Sequence, residues 1–260
     1  MKFSPYGRSK VISVIIPTCD RPAEFLRAAI ESARAQSLAP YEVIVVDNGT
    51  SDADPAVLPE GVTLYRLPPR VGPSRARNFG AAMARGTHLS FLDDDDWWDT
   101  DFLREAWAVL EAEGVRCVYG RKDIWRRGRV EHYKLPSPET LTIPVLLSRN
   151  PGTGGQNLLI EKPLFWRVGG FDERLRTSED KALALELLLA DERIAIAPKA
   201  AAIMRSHDGA RARQARLHKI LFSWKYRRLL GLGGLIAEIV SLVRPRLGEK
   251  LRPVLRRIRT

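Results

Sequence analysis

The sequence is poor in cysteine: Cys19 and Cys117 are the two thiols in 260 residues. Two widely spaced cysteines build neither a disulfide framework nor a zinc cluster, and they fit a reducing compartment. A long hydrophobic run is also missing. The apolar stretch from Leu229 to Val243 covers 15 residues and is interrupted by Glu238, whereas a spanning helix needs about 20. The opening "MKFSPYGRSKVISVIIPTCD" has a short apolar run without a small-residue cleavage site, so it reads as a first strand and not as a signal peptide. There are no sequence repeats. The glycine-rich "GTGG" at residues 152–155 lacks the Gly-Lys-Ser/Thr ending of a phosphate-binding loop, and it reads as a flexible segment. A cytoplasmic protein is expected.

Acidic residues are scarce in one region. Between Arg211 and Thr260 stand 14 Lys and Arg against Glu238 and Glu249, a balance of +12, while residues 1–210 come to −1 of the chain's +11. The basic character therefore belongs to a tail, and the function of the main part need not be explained by charge. Two regions follow: a catalytic-type α/β domain over 1–210 and a basic amphipathic helical tail over 211–260. With 45% hydrophobic and 28% charged residues, the chain can bury a globular core.

What is present is an alternation of strands and helices. "KVISVIIPT", "YEVIVVDNGTSD", "GVTLYRL", "THLSFLD" and "VRCVYG" read as strands, the first ended by Pro17. Between them, "RPAEFLRAAIESARAQS", "GPSRARNFGAAMARG" and "DTDFLREAWAVLEAEG" read as helices. Ser74 is the expected N-cap of the second helix, and Gly86 and Gly114 are stops. Such alternation predicts βαβ units around a parallel sheet. Further on, a hairpin turning at Arg127-Gly128, a turn at Gly169-Gly170, a helix from about Ser178, and two short strands, "IAIAP" and "AAIMRSHD", are expected. Ligands of open α/β sheets bind beyond the carboxyl ends of the strands. Asp20, Asp47 and the run Asp93-Asp94-Asp95-Asp96 all fall at such ends.

Adjacent carboxylates repel one another unless a cation lies among them. Oxygen clusters suit Mg²⁺ or Mn²⁺ better than zinc. Along an extended chain Asp93 and Asp95 point one way and Asp94 the other. Aspartate runs are also common as solvated loops and helix starts.

The segments "VISVIIPTCDRP", "YEVIVVDNGTSD", "ARNFGAAMARGTHLSFLDDDDWW", "VGGFDERL" and "SED" stand in an order and spacing that resembles the family 2 glycosyltransferases, over roughly residues 10–208. The resemblance implies a GT-A fold, a Rossmann-like, mostly parallel sheet flanked by helices, here with a helical C-terminal extension. It also implies a nucleotide-diphosphate sugar donor. By that resemblance Pro17, Thr18 and Asp20 line the nucleotide pocket, Asp47 hydrogen-bonds the base, typically uracil, and Arg77 and Asp94 belong to the same donor-binding set. Asp93 and Asp95 match the Asp-x-Asp pair, with Asp95 a ligand of Mn²⁺ or Mg²⁺ and Asp93 a contact to ribose or a metal-bound water. Asp180 matches the catalytic base of an inverting displacement. His207 matches a late histidine near the diphosphate or the metal.

Plainer roles stand beside these. Asp47 before Asn48-Gly49 is also a turn residue, Asp180 a first-turn helix acid, and one of Trp97 and Trp98 a core residue. If the Glu-Asp pair opens a helix, Glu179 points away from Asp180. Where relatives carry arginine or aromatic residues after Glu-Asp, this chain has Lys181, Ala184 and Glu186, which bears on the acceptor side. The Gln/Arg-x-x-Arg-Trp signature of processive synthases is absent, so a single addition to a glycan or lipid-linked acceptor, as in bacterial cell-surface polysaccharide synthesis, is expected. The rivals are a sugar nucleotidyltransferase, which would need a triphosphate loop in place of "PTCDRP", and a non-catalytic nucleotide-sugar-binding protein. For the tail, an anionic membrane surface comes first, with Trp224 and Tyr226 as interfacial aromatics. Packing on the domain or an oligomer contact comes next. Nucleic acid is not expected, since no recognition fold accompanies the charge.

Overall fold

The structure is a computed structural model and describes residues 11–51, 58–206 and 214–231. Its centre is a nine-stranded sheet. Strand β1 (Ile12–Thr18) lies between β2 (Glu42–Asp47) and β4 (His88–Phe91), with β3 (Val62–Arg66) outside β2. These four run parallel. Beyond β4 the order continues through β8 (Leu158–Glu161), β6 (Cys117–Arg126), β9 (Ile194–Arg205) and β5 (Trp97–Trp98). Strand β8 is antiparallel to both its neighbours, which leaves β6 and β9 pointing the same way as β1. Strand β7 (Arg129–Lys134) folds back on β6 through Arg127 and Gly128, both at positive φ, as the hairpin reading required.

The run "ISVII" is apolar throughout because both faces of the sheet are covered. Ile12, Val14 and Ile16 pack with Leu26, Ile30, Phe102 and Trp107, from α1 (Ala23–Arg34) and α3 (Phe102–Glu113). Ile15 points the other way, into a cluster with Ala76 of α2 (Pro73–Met83), Leu146 of α4 (Ile143–Ser148), Phe165 of α5 (Lys162–Arg167), Leu183 of α6 (Glu179–Leu189) and Phe222 of α7 (Gln214–Lys225). Close approach of α2 to the sheet needs Gly80, where an added Cβ would lie 2.5 Å from Ile15 Cγ2.

Several sequence expectations change. Pro17 does not end β1: it pairs in register with Val46, and Thr18 with Asp47. It is tolerated because β4 pairs with β1 only as far as Ile15, so no ladder bond on that side needs its missing N–H. Gly72, not Ser74, caps α2. The Ser74 hydroxyl instead donates to the carbonyl of Leu175 at 3.1 Å. "IAIAP" and "AAIMR" form one strand, β9, whose register against β6 shifts between Gly120 and Arg121. The "GTGG" segment is buried and ends in a 3₁₀ turn at Gly155–Asn157, so it is part of the interior.

Candidate functional site

The carboxyl ends of β1, β2 and β4 meet at one edge of the sheet, and the acidic features meet with them. Asp20 follows β1 at φ 50. Its carboxylate accepts the N–H of Thr50 at 2.6 Å and that of Ser51 at 3.3 Å, which holds its pKa below the ordinary value. Asp47 is buried at the end of β2. Its Oδ1 accepts from Gly49 N, and its Oδ2 from Arg66 Nη1, each at 2.7 Å. Asp20 thus ties the loop after β1 to the loop after β2, and Asp47 ties the latter to β3.

After β4 the chain turns, and the N–H of Asp96 reaches the carbonyl of Asp93 at 3.2 Å. The turn separates the four carboxylates into two sets. Asp94 faces β1: Thr18 Oγ1 donates to it at 2.7 Å and Arg21 Nε at 3.0 Å. Burial is the main reason its pKa is pushed up to about 6, against the pull of Arg21. Asp93, Asp95 and Asp96 each offer an oxygen, and these oxygens lie within 4.8 Å of one another. The set is all oxygen, compact and largely buried, and it suits a hard divalent ion such as Mn²⁺ or Mg²⁺. Asp96 is raised well above the ordinary carboxylate value by burial and by the neighbouring Asp93 and Asp95, as expected of carboxylates that share one small space. Two arginines serve the same set: Arg77 Nη2 donates to Asp93, and Arg21 Nη2 lies 3.1 Å from Asp95 Oδ2.

The far wall is α6. Ser178, at φ 70, turns the chain into it, and its first turn carries Glu179 and Asp180. Arg77, buried in α2, spans the two walls: besides Asp93 it donates through Nη1 to Glu179 Oε1 at 3.2 Å. Glu179 therefore does not point away from the site, because the left-handed entry to α6 rotates both acids toward α2. Asp180 Oδ1 accepts the N–H of Gly155 at 3.0 Å. Burial, then Glu179, pushes the Asp180 carboxyl up to about 7, opposed by Arg77 and Lys122. Beneath the site Trp98 is core, stacked on Phe102 with its indole N–H on the carbonyl of Gln156 at 2.7 Å. Arg205, at the end of β9, donates its backbone N–H to Asp96 Oδ1 at 2.9 Å, and its guanidinium lies 4.5 Å from the ring centre of Phe25.

The structure thus brings Thr18, Arg77, Asp93, Asp94, Asp95 and Asp180 close together, with Pro17, Asp20 and Asp47 along the β1–β2 edge. His207 lies outside the described residues. Arg21 and Lys122 are not singled out by the sequence, and Asp96 and Glu179 carry no assigned role there. The tail reading also changes in part. Trp224 is 58% exposed, but Tyr226 is 5% exposed and its hydroxyl donates to Glu186 of α6 at 2.9 Å. One face of this segment packs on the domain. No helix among the described residues is long and apolar enough to cross a membrane.

Residues 13–169 match the family model described as glycosyl transferase family 2. The chain belongs to that family. It is 34% identical over 217 residues to the succinoglycan biosynthesis protein ExoO of Rhizobium meliloti, which covers 76% of this chain and 62% of ExoO. It is 28% identical over 185 residues to an uncharacterized glycosyltransferase of Haemophilus influenzae, covering 68% of this chain and 62% of that one. The chain therefore spans less than two thirds of the length of these relatives. Among solved structures, S. aureus TarS 1-349 superposes with a TM-score of 0.63 at 18% identity, covering 96% of this chain and 87% of that one. A structure of the same TarS fragment in complex with UDP gives a TM-score of 0.60. These likenesses confirm the GT-A architecture.

Proposed function

We propose that the chain transfers a sugar from a nucleotide-diphosphate donor, a UDP-sugar, to a glycan or lipid-linked acceptor, with inversion at the anomeric carbon. The observation that carries this reading is the span of Arg77, which sets the Asp93–Asp95–Asp96 set and the first turn of α6 on two walls of one cleft. A displacement needs a leaving group on one side and a base on the other. On the first wall, Asp93, Asp95 and Asp96 would hold Mn²⁺ or Mg²⁺, which when bound would neutralise charge on the departing diphosphate. On the second wall, Asp180 is a buried carboxylate pushed up to about 7. A base poised near the working pH is ionised often enough to accept a proton and basic enough to take it from an attacking hydroxyl. The Gly155 N–H fixes one of its oxygens and leaves the other to meet the acceptor.

Family membership and the names of the relatives support transfer over nucleotidyl chemistry or passive binding. Similarity to the succinoglycan biosynthesis protein ExoO supports a bacterial surface polysaccharide as the setting, and the UDP-bound TarS neighbour supports a uridine donor along the β1–β2 edge. The basic tail supports attachment to an anionic membrane face on the cytoplasmic side. The deciding experiment compares wild type with Asp180→Asn. The reading requires that the variant lose transfer to a panel of glycan acceptors and still bind UDP in the presence of Mn²⁺. Equal turnover in the two proteins would overturn it.

A further inference from the structure

Lys122 is a lysine where burial makes a lysine costly. It stands on β6 and is 8% exposed. Among the described residues no hydrogen bond or ion pair reaches its ammonium, whereas the other buried cations near the cleft have carboxylate partners: Arg77 has Asp93 and Glu179. Its charge acts through space on two groups, Asp96 and Asp180, and favours the ionised form of each. Those two groups belong to the two opposite walls of the cleft.

The position of Nζ is fixed by its surroundings. A Cβ added to Gly154 would come 2.8 Å from Lys122 Nζ, 2.3 Å from Gln156 Oε1 and 3.1 Å from Asn157 Oδ1. A Cβ added to Gly155 would come 3.3 Å from Arg77 Nε and 3.6 Å from Asp180 Oδ1. The two glycines thus run between Lys122 and the Arg77–Asp180 pair with no side chain to separate them. Asn157 Oδ1, beside the same spot, is buried and has no hydrogen-bond partner. Arg77 Nε is buried and unpartnered as well. A buried amide oxygen and a buried guanidinium nitrogen left unpaired cost free energy unless a ligand completes them.

We infer that Lys122 donates hydrogen bonds to the transferred sugar of the donor, and is a specificity-determining residue of the reaction. This rests on the transferase reading above. In that reading the sugar lies between the leaving group, held by the aspartate set, and the base, Asp180. Lys122 is the cation lying between those two walls, without a protein partner to satisfy it. An ammonium offers three donors and no acceptor, so it selects sugar hydroxyl or carbonyl oxygens. In the same reading the nucleotide would sit at the β1–β2 edge, and β6 is remote from that edge in the sheet order.

The test separates sugar from nucleotide. Binding of UDP, UDP-glucose, UDP-galactose, UDP-N-acetylglucosamine and UDP-glucuronate is measured by calorimetry with Mn²⁺ present, for wild type, Lys122→Met and Lys122→Arg. Methionine keeps the length and apolar stem, and loss of a charge that has no protein partner should not lower the melting temperature. The expected result is an unchanged affinity for UDP and about a tenfold loss for the sugar nucleotide that wild type prefers, the size of one hydrogen bond to a charged group. Lys122→Arg should recover part of it. An equal loss for UDP and for the sugar nucleotide would place Lys122 on the diphosphate and overturn the inference, as would no change in either. Failure of wild type to bind any of the five compounds would instead count against the donor reading itself.

Discussion

The N–H of Gly155 donates to the carboxylate of Asp180 across 3.0 Å, and it joins two segments 25 residues apart in sequence. That bond holds the acid in a buried place where its charge is unwelcome. The pH dependence follows with its sign. Burial and Glu179 raise Asp180 from the ordinary 3.8 to about 7. In the proposed reaction Asp180 accepts the proton only when ionised, so kcat/KM should fall about tenfold per pH unit below about 7 and level off above it. Stability runs the other way. A carboxyl whose folded pKa is raised favours the native state while protonated, and that contribution is lost as pH rises from about 4 toward 7. Asp180→Asn, which can still accept from Gly155, should therefore be inactive yet melt no lower than wild type at pH 8. Thermal melts across pH 5 to 8 beside a rate profile check both halves, and an inactive variant that melts markedly lower would contradict the account.

Arg77 answers for the architecture of the cleft. It is buried and contacts acids on both walls, and Asp180 acts on it through space as well. Removing it leaves several buried carboxylates without their main cation. Breaking a buried pair from one side costs about 3–5 kcal/mol, so Arg77→Met should unfold at clearly lower urea, with transfer lost. Arg77→Lys should not rescue, because one ammonium cannot reach Asp93 and Glu179 with separate nitrogens. Urea titrations of the three proteins decide it.

Arg21 would compete with a divalent ion for Asp95. It bridges Asp94 and Asp95 at 3.0 and 3.1 Å. A bound cation must share or displace that contact. Arg21→Gln should therefore bind Mn²⁺ severalfold more tightly, while Asp95→Ala should bind it more weakly by at least tenfold. Calorimetry or the paramagnetic signal of free Mn²⁺ reads both. Chelation of the metal in wild type should abolish UDP-dependent thermal stabilisation, since stabilisation follows occupancy by mass action.

Much of this was legible before the structure, and the reasons differ by element. β1, β2 and α3 carry long, unmixed patterns, and Gly114 stops α3 at φ 61 as a C-terminal glycine does. β5 was not legible, since Trp97 and Trp98 alone carry no period. β9 read as two strands because Pro198 falls where the register slips against β6. The separation of Asp94 from Asp93 and Asp95 was foreseen from alternation along an extended chain. The structure reaches it by a turn, and the turn is what adds Asp96 to the set. Arg21 and Lys122 gave no signal, because a single cation takes its meaning from partners 73 or more residues away or from a fold that leaves it none.

The α7 segment presents one packed face and one exposed face. Phe222, Tyr226 and Leu230 are buried against the domain, while Leu221, Trp224 and Leu229 are 46%, 58% and 45% exposed. Arg227 lies over the Trp224 ring at 4.8 Å. An exposed tryptophan with leucines and basic neighbours is the composition of an interfacial anchor, and the packed face explains how such an anchor could stay attached to the enzyme. The chain should therefore sediment with vesicles containing phosphatidylglycerol and much less with neutral phosphatidylcholine vesicles, and the binding should weaken with added salt. Trp224→Ala should lower the bound fraction severalfold and leave UDP affinity unchanged. Tyr226→Phe should do the reverse of an anchor mutation: it removes the bond to Glu186, lowering the melting temperature by a few degrees without changing vesicle binding. If Trp224→Ala left sedimentation untouched while anionic vesicles still bound, the attachment would have to be assigned to a different part of the basic tail.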